Sequence, residues 1–378
     1  MDVLFVTHHY LHGNGGGVFA SRAYINAFEE ISRKFTLLYP AKRGYDVEEI
    51  SSNDKVPVYY EKSKRLKFID ALCGRTHRYF DVFEKQLKNN DYKVVVFDSS
   101  RVSFRLIDIA HKYGLKVITI HHNFEAEYIK DNENLIMKPV LLYWVKKYEK
   151  ESVQKSNLNL TLTGKDRDLL LQNYTTKKPI AVLGCFEYKR KERDFGRNIQ
   201  QVNKKTNFVI TGSLNTKQTQ ESLIYWLNEY YPLLKKNIPE TTLTIAGNNP
   251  SQILIQKCEK WGITLISSPK SMDEILENAD IYICPVSLGG GLKLRIMDGL
   301  KRGLPVISHK VSARGYEDFS NAGHLFEYDD KNSFDKALDK IKTNDFNKND
   351  MIEKYNFIFS FDAGKQRLAK FLKEYKII

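Results

Sequence analysis

Cysteine is scarce in this chain of 378 residues: Cys73, Cys185, Cys258 and Cys284 stand far apart and form no C-x-x-C pair. That spacing argues against a disulfide framework or a zinc site and reads as buried thiols of a reducing compartment. Long apolar runs are also missing, since none approaches the roughly 20 residues that span a bilayer. The start, Met1-Asp2-Val3-Leu4-Phe5-Val6-Thr7, is a buried-strand pattern with no basic leader. The expectation is a cytoplasmic protein that at most lies on the inner face of a membrane. No short-period repeat or low-complexity tract occurs, and no recognised DNA- or RNA-binding motif accompanies the basic residues, so nucleic acid is not an expected partner.

What is present is a globular composition, 42% hydrophobic and 12% aromatic, on a chain too long for one compact α/β domain and comfortable for two. The net charge of +13 favours anionic partners, such as nucleotides or phospholipid surfaces. Apolar β-branched and aromatic runs alternate with helical periodicity, the pattern of a parallel sheet with crossover helices. Strands are expected at Val3–Thr7, Phe35–Tyr39, Val94–Asp98, Val117–His121 and Leu158–Thr163, with helices at Val18–Ile31, Val102–Tyr113 and Val140–Gln154. The rhythm lapses into dense charge over residues 186–205 and restarts at Phe208–Thr211, Leu243–Ala246, Thr264–Ile266, Ile281–Cys284 and Val306–Ser308. A helix is also expected within Glu221–Lys235, and a closing one at Asp362–Tyr375. The expected fold is therefore α/β, with two Rossmann-like doubly wound domains facing across a cleft. Residues 1–185 form the first, 206–355 the second, and 356–378 a helix returning to the first.

Two glycine-rich segments carry candidate chemistry. His12-Gly13-Asn14-Gly15-Gly16-Gly17 follows a strand and opens a helix, where free backbone amides favour a phosphate, although a tight turn needs the same residues. Its spacing is not G-x-G-x-x-G, and the second strand ends in Tyr39-Pro40-Ala41-Lys42 rather than the acid that would hold a ribose, which disfavours a nicotinamide enzyme. In the second half, a strand ending at Cys284 leads into Pro285-Val286-Ser287-Leu288-Gly289-Gly290-Gly291-Leu292-Lys293-Leu294-Arg295-Ile296-Met297-Asp298. Three glycines allow close approach of a ligand, and Lys293 and Arg295 at a helix start suit a diphosphate. Asp298 could accept from ribose hydroxyls, or pair with Arg295 as a helical neighbour.

The run GGGLKLRIMDGLKRGLPVI resembles the donor-binding segment of family 4 and related retaining glycosyltransferases of the GT-B fold. Gly15-Gly16-Gly17, His122-Asn123-Phe124-Glu125, Gly212-Ser213-Leu214, Gly247 and Asn278-Ala279-Asp280 extend the resemblance in order along the chain. It implies a nucleoside-diphosphate sugar bound by the second domain, a glycan or lipid-linked acceptor on the first, retention of the anomeric configuration, and no cofactor or metal. On this resemblance Gly16, Gly17, Ser213, Gly247, Gly289, Gly290, Gly291, Leu292 and Asp298 bind the donor. His122, Lys293 and Arg295 are catalytic, with His121 the alternative to His122, and His9, His12 and Glu125 line the acceptor side. The sequence departs from the family in two places. Gly290 stands where many members have the first of two glutamates eight positions apart, which keeps open a non-catalytic partner subunit of the same fold. Ser213-Leu214-Asn215-Thr216-Lys217 lacks the usual Arg and Lys, leaving only Lys217 to supply charge there.

His8, His9 and His12 could also be taken for metal ligands, but no carboxylate accompanies them in sequence at ligand spacing, so no metal is expected. Between Lys62 and Arg78, basic residues interleave with Leu66, Phe68, Ile69 and Leu72. This is the pattern of an amphipathic helix, either resting on anionic lipid or simply solvated on its charged face.

Overall fold

A computed structural model of the protein describes residues 1–13, 15–42, 54–59, 63–75, 77–132, 136–189, 205–289 and 291–378. Two compact units form, Met1–Arg190 with Ile358–Ile378, and Lys191–Phe357. Residues 190–204, most of the expected linker, and Gly290 and Lys62 lie outside the described residues.

The first unit runs β1 (Asp2–Thr7), α1 (Gly16–Ile31), β2 (Lys34–Ala41), β3 (Lys55–Tyr59), α2 (Lys64–Leu72), α3 (Phe80–Asn89), β4 (Val94–Asp98), α4 (Ser100–Ser103), α5 (Leu106–Lys112), β5 (Lys116–His121), α6 (Glu125–Asn132), α7 (Lys138–Lys155), β6 (Leu158–Thr161), α8 (Gly164–Asn173) and β7 (Ile180–Val182). The second runs β8 (Thr206–Ser213), α9 (Lys217–Glu229), α10 (Tyr231–Asn237), β9 (Thr241–Asn248), α11 (Gln252–Trp261), β10 (Thr264–Ser267), α12 (Asp273–Glu277), β11 (Ile281–Cys284), α13 (Arg295–Leu300), β12 (Val306–His309), α14 (Glu317–Asn321), β13 (Leu325–Tyr328) and α15 (Lys331–Thr343). Helix α16 (Lys348–Phe359) leaves the second unit, and α17 (Phe361–Glu374) closes the first.

The first sheet has the order β3-β2-β1-β4-β5-β6-β7 and the second β10-β9-β8-β11-β12-β13, with parallel pairing throughout. Central strands such as Val94–Asp98 are buried on both faces, which is why their sequences are continuous apolar runs rather than alternating ones. In both sheets the order reverses between two neighbouring strands, β1 and β4 in the first and β8 and β11 in the second. Ligands of such folds bind beyond the carboxyl ends of the strands at that point.

Several expected elements come out differently. The helix expected over Val102–Tyr113 is interrupted, because Arg105 takes a left-handed conformation (φ 66°) and its N–H donates to Glu151 at 2.9 Å. The helix within Glu221–Lys235 is two helices, α9 and α10, and Pro232 sits in the first turn of α10, where its missing N–H is tolerated. Strand β6 stops at Thr161, since the Thr163 hydroxyl caps α8 by accepting from Asp166 N–H. Strands β3, β7 and β13 were not expected from the sequence; β3 and β7 lie at the two edges of their sheet and are short and incompletely buried.

Candidate functional site

In the first unit the strand register carries the site. Thr7, the last residue of β1, pairs with Asp98, the last of β4, and Asp98 pairs with Ile120 near the end of β5. His122 is the first residue beyond β5, so three strand ends deliver Thr7, Asp98 and His122 to one place at the reversal point. Asp98 is fully buried and accepts two hydrogen bonds, from His122 Nε2 at 2.5 Å and from the Thr7 hydroxyl at 2.8 Å. His9 follows β1, with its ring centroid 5.3 Å from that of His122, and a Cβ on Gly17 would come within 3.1 Å of the same His9 ring.

Burial is the largest influence on each of these groups, and for Asp98 and His122 their mutual pairing decides the outcome. For Asp98, burial works to raise the carboxyl, but the charge and hydrogen bond of His122 outweigh it and hold the group well below the usual carboxylate range. For His122, burial works downward, while the charge and hydrogen bond of Asp98 bring the net result above the ordinary imidazole value. His9, without such a bond, is pushed down to about 4 by burial. His121 is likewise pushed to about 4; it faces the core, 3.0 Å from the Asn159 side-chain oxygen. The alternative histidine is thus bound into the sheet, while His122 stands at the strand end.

Behind His122, Glu125 pairs with Arg101 at 2.6 Å and is itself only 8% exposed. Its N–H donates to Glu149 at 2.6 Å, and Phe124 N–H donates to Asp166 at 2.9 Å. Two buried acids therefore hold the 122–125 segment from below. His12 and Gly16 lie in the loop and first turn leading into α1, on the same edge.

His9, Asp98 and His122 together offer three metal-ligating atoms within 4.8 Å of one another. The reason for discounting a metal near His8, His9 and His12 therefore does not hold, because the fold brings a carboxylate from β4 that sequence spacing could not reveal. No contiguous motif marked Asp98, Thr7, Arg101 or Glu149 in the sequence.

In the second unit, Ser213 and Gly247 lie at the carboxyl ends of β8 and β9, and Gly289, Gly291, Lys293 and Arg295 follow β11. Gly247 is required by close backbone approach, since a Cβ there would lie 1.8 Å from the Gly212 carbonyl oxygen. The Arg295 guanidinium lies against Gly212, where a Cβ would come within 2.7 Å of Cζ, and donates to the Thr219 hydroxyl at 3.1 Å. Its other terminal nitrogen, Nη1, is buried and has no hydrogen-bond partner among the described residues. Gly289 and Gly291 both have left-handed backbone. Lys293 is held through its carbonyl, which accepts from Tyr316 hydroxyl at 3.0 Å. Helix α13 has only six residues, so positive charge here comes chiefly from side chains. Leu292 is half-buried and Asp298 is exposed on α13. Lys217 begins α9 and pairs with Glu221 at 3.8 Å, an exposed helical ion pair.

Residues 205–344 match the family model described as Glycosyl transferases group 1. The matched residues fall entirely within the second unit. The HepE protein of Anabaena, solved in complex with UDP, is similar over 99% of this chain and 100% of its own at a TM-score of 0.68 and 11% identity. The lipopolysaccharide outer core galactosyltransferase WaaB gives 0.66 at 12%, and sucrose-phosphate synthase of Thermosynechococcus elongatus 0.69 at 10%, each over 99% of both chains. These likenesses establish the fold, two Rossmann-like domains of the GT-B type. A protein of Klebsiella pneumoniae, described as an uncharacterized 44.6 kDa protein in the cps region, is 26% identical over 242 residues, 60% of this chain. The match spans 60% of that relative's length.

Proposed function

We propose that this GT-B protein is a glycosyltransferase of the family 4 retaining type. It would move a hexosyl-type group from a nucleoside-diphosphate sugar to a glycan or lipid-linked acceptor in cell-surface polysaccharide or glycoconjugate synthesis. The observation that carries the reading is Arg295 Nη1, a buried cation donor without a partner among the described residues, at a glycine-lined strand end. A buried unpaired donor of this kind is expensive unless a ligand completes it, and an anionic diphosphate is its natural acceptor. The group 1 match over 205–344 supports the same place. HepE, which has also been solved with UDP-glucose, supports the ligand class.

In this reading Lys293 and Arg295 stabilise the negative charge that develops on the departing diphosphate, the largest contribution expected of such a site, with no metal ion or cofactor called upon. His122 contacts the transferred sugar, and His9, His12 and Glu125 border the acceptor side. The setting in polysaccharide synthesis is supported by the relative from a cps region and by the likeness to WaaB. Action at the inner face of a membrane is supported by α2, which exposes Lys64, Arg65 and Lys67 beside Phe68 and Leu72.

Titration calorimetry with UDP and with uridine tests the donor site. Lys293→Ala and Arg295→Ala should each weaken UDP by about 1.5–3 kcal/mol, the value of a hydrogen bond to a charged group, and leave uridine nearly unchanged. Equal losses on both ligands would place these side chains away from the phosphates. Firm UDP binding with no release of nucleotide from any UDP-sugar would instead favour a non-catalytic partner subunit, the reading that Gly290 in place of the family glutamate keeps open.

A further inference from the structure

Among the described residues, only one of the two ring nitrogens of His122 has a hydrogen-bond partner. Nε2 is bound to Asp98 at 2.5 Å, while Nδ1 is buried and has no hydrogen-bond partner among the described residues. Asp98 is fully buried at the end of β4, and its second oxygen is taken by the Thr7 hydroxyl at 2.8 Å, which fixes the plane of the carboxylate. A carboxylate so placed sets the orientation of an imidazole and determines which nitrogen is left for a ligand.

We propose that Asp98 is the positioning residue of the site: it clamps His122 through Nε2 and thereby presents Nδ1 to an oxygen of the bound sugar. This rests on the assignment of His122 to the transferred sugar. No covalent step is involved; Nδ1 and the sugar oxygen share a hydrogen bond and the ring keeps its protons. The groups facing His122 are Asp98 on β4, His8 and His9 after β1, Tyr24 on α1 with its ring centroid 6.0 Å away, His121 on β5, Glu125 on α6 and Arg101 on α4. Asp98 and Glu125 favour the charged ring and Arg101 already neutralises Glu125, so Asp98 is the dominant counter-charge.

A cation held by His9, Asp98 and His122 is the competing use of these side chains. Both Asp98 oxygens already accept hydrogen bonds, from His122 at 2.5 Å and from the Thr7 hydroxyl at 2.8 Å. A metal would have to break the shortest of those bonds. The geometry is that of a hydrogen-bonded pair.

Nuclear magnetic resonance of the His122 ring across pH, in parent and Asp98→Asn protein, tests the inference without reference to turnover. The His122 midpoint should fall by about one to two pH units when the charged partner is lost. With a sugar donor accepted by the parent, Asp98→Asn should lower kcat at least tenfold, move the alkaline limb of the pH–rate profile down by the same interval, and leave UDP affinity unchanged. Asp98→Glu should restore part of the rate. An unchanged His122 midpoint and pH profile would overturn the proposal even if the rate fell, because Asp98 would then be merely structural. Activity lost on chelation and restored by a divalent cation would overturn it too. A His122→Ala protein with the parental rate would instead refute the placement of His122 at the sugar, a different failure that the ring titration distinguishes.

Discussion

Glu149 has no exposed surface, yet it accepts hydrogen bonds from Glu125 N–H at 2.6 Å and from Tyr174 hydroxyl at 2.8 Å. Burial first, and the neighbouring charge of Glu125 second, push its carboxyl up to about 8 from an ordinary 4.5. The folded protein therefore keeps this proton up to about pH 8, while the unfolded chain loses it near 4.5. The unfolded state binds fewer protons across that window, so this group makes the fold less stable as pH rises through it. Relative to parent, Glu149→Gln should remove a pH-dependent penalty on the order of 3–5 kcal/mol; urea unfolding at pH 5 and pH 8.5 measures it. Equal pH dependence in the two proteins would mean that Glu149 is ionised throughout. At this scale His122 was legible because its motif is contiguous. Asp98 and Glu149 were not, since an acid 24 residues before His122 and another 24 after Glu125 acquire their roles only through sheet register and helix docking.

Among the elements, α17 shows how one small residue can set a docking distance. It packs on α1 in the first unit, with Lys365 paired to Glu30 at 2.7 Å and Arg367 donating to Leu183 carbonyl at 3.1 Å. Gly364 meets the buried ring of Phe186, and a Cβ there would fall 2.0 Å from Cγ. Gly364→Ala should destabilise the protein by about 1–3 kcal/mol, the range of overpacking in a filled interior, despite alanine being the better helix former. Denaturant midpoints decide it, and a gain in stability would show that the contact yields freely. Strands of four or five apolar residues were readable wherever they were central and buried. The left-handed turn at Arg105 was not legible, because its stabilising hydrogen bond runs from Arg105 N–H to the Glu151 carboxylate, 46 positions away.

For the molecule as a whole, a net charge of +13 becomes meaningful only where it is concentrated. Helix α2 starts at Ser63, whose hydroxyl caps it by accepting from Leu66 N–H, and exposes Phe68 at 54% and Leu72 at 45% among its lysines and arginine. Helix α7 adjoins it: Trp144 donates to the Leu72 carbonyl at 3.0 Å, and Lys147 lies over the rings of Tyr143 and Trp144. Basic side chains near an anionic bilayer contribute about 1 kcal/mol each and are screened over a Debye length of about 8 Å. The parent should therefore co-sediment with anionic but not neutral vesicles, less so at high salt. A triple variant carrying K64E, R65E and K67E should stay in solution. If the parent ignores anionic vesicles, α2 is a solvated helix face and a soluble acceptor is favoured.

By itself the sequence determined that two parallel α/β sheets would form, because buried parallel strands need continuous apolar runs and crossover helices need a 3.6-residue period, and both are local patterns. It also determined where the glycine run and the cations after β11 would fall, since these lie within one short segment. Tertiary structure alone decided that Asp98 meets His122 and Thr7, that Arg295 rests on Gly212 with one nitrogen unpaired among the described residues, and that His121 turns to the core while its neighbour does not. Each of these depends on the register between strands distant in sequence, and register is set by packing over the whole sheet rather than by any one strand.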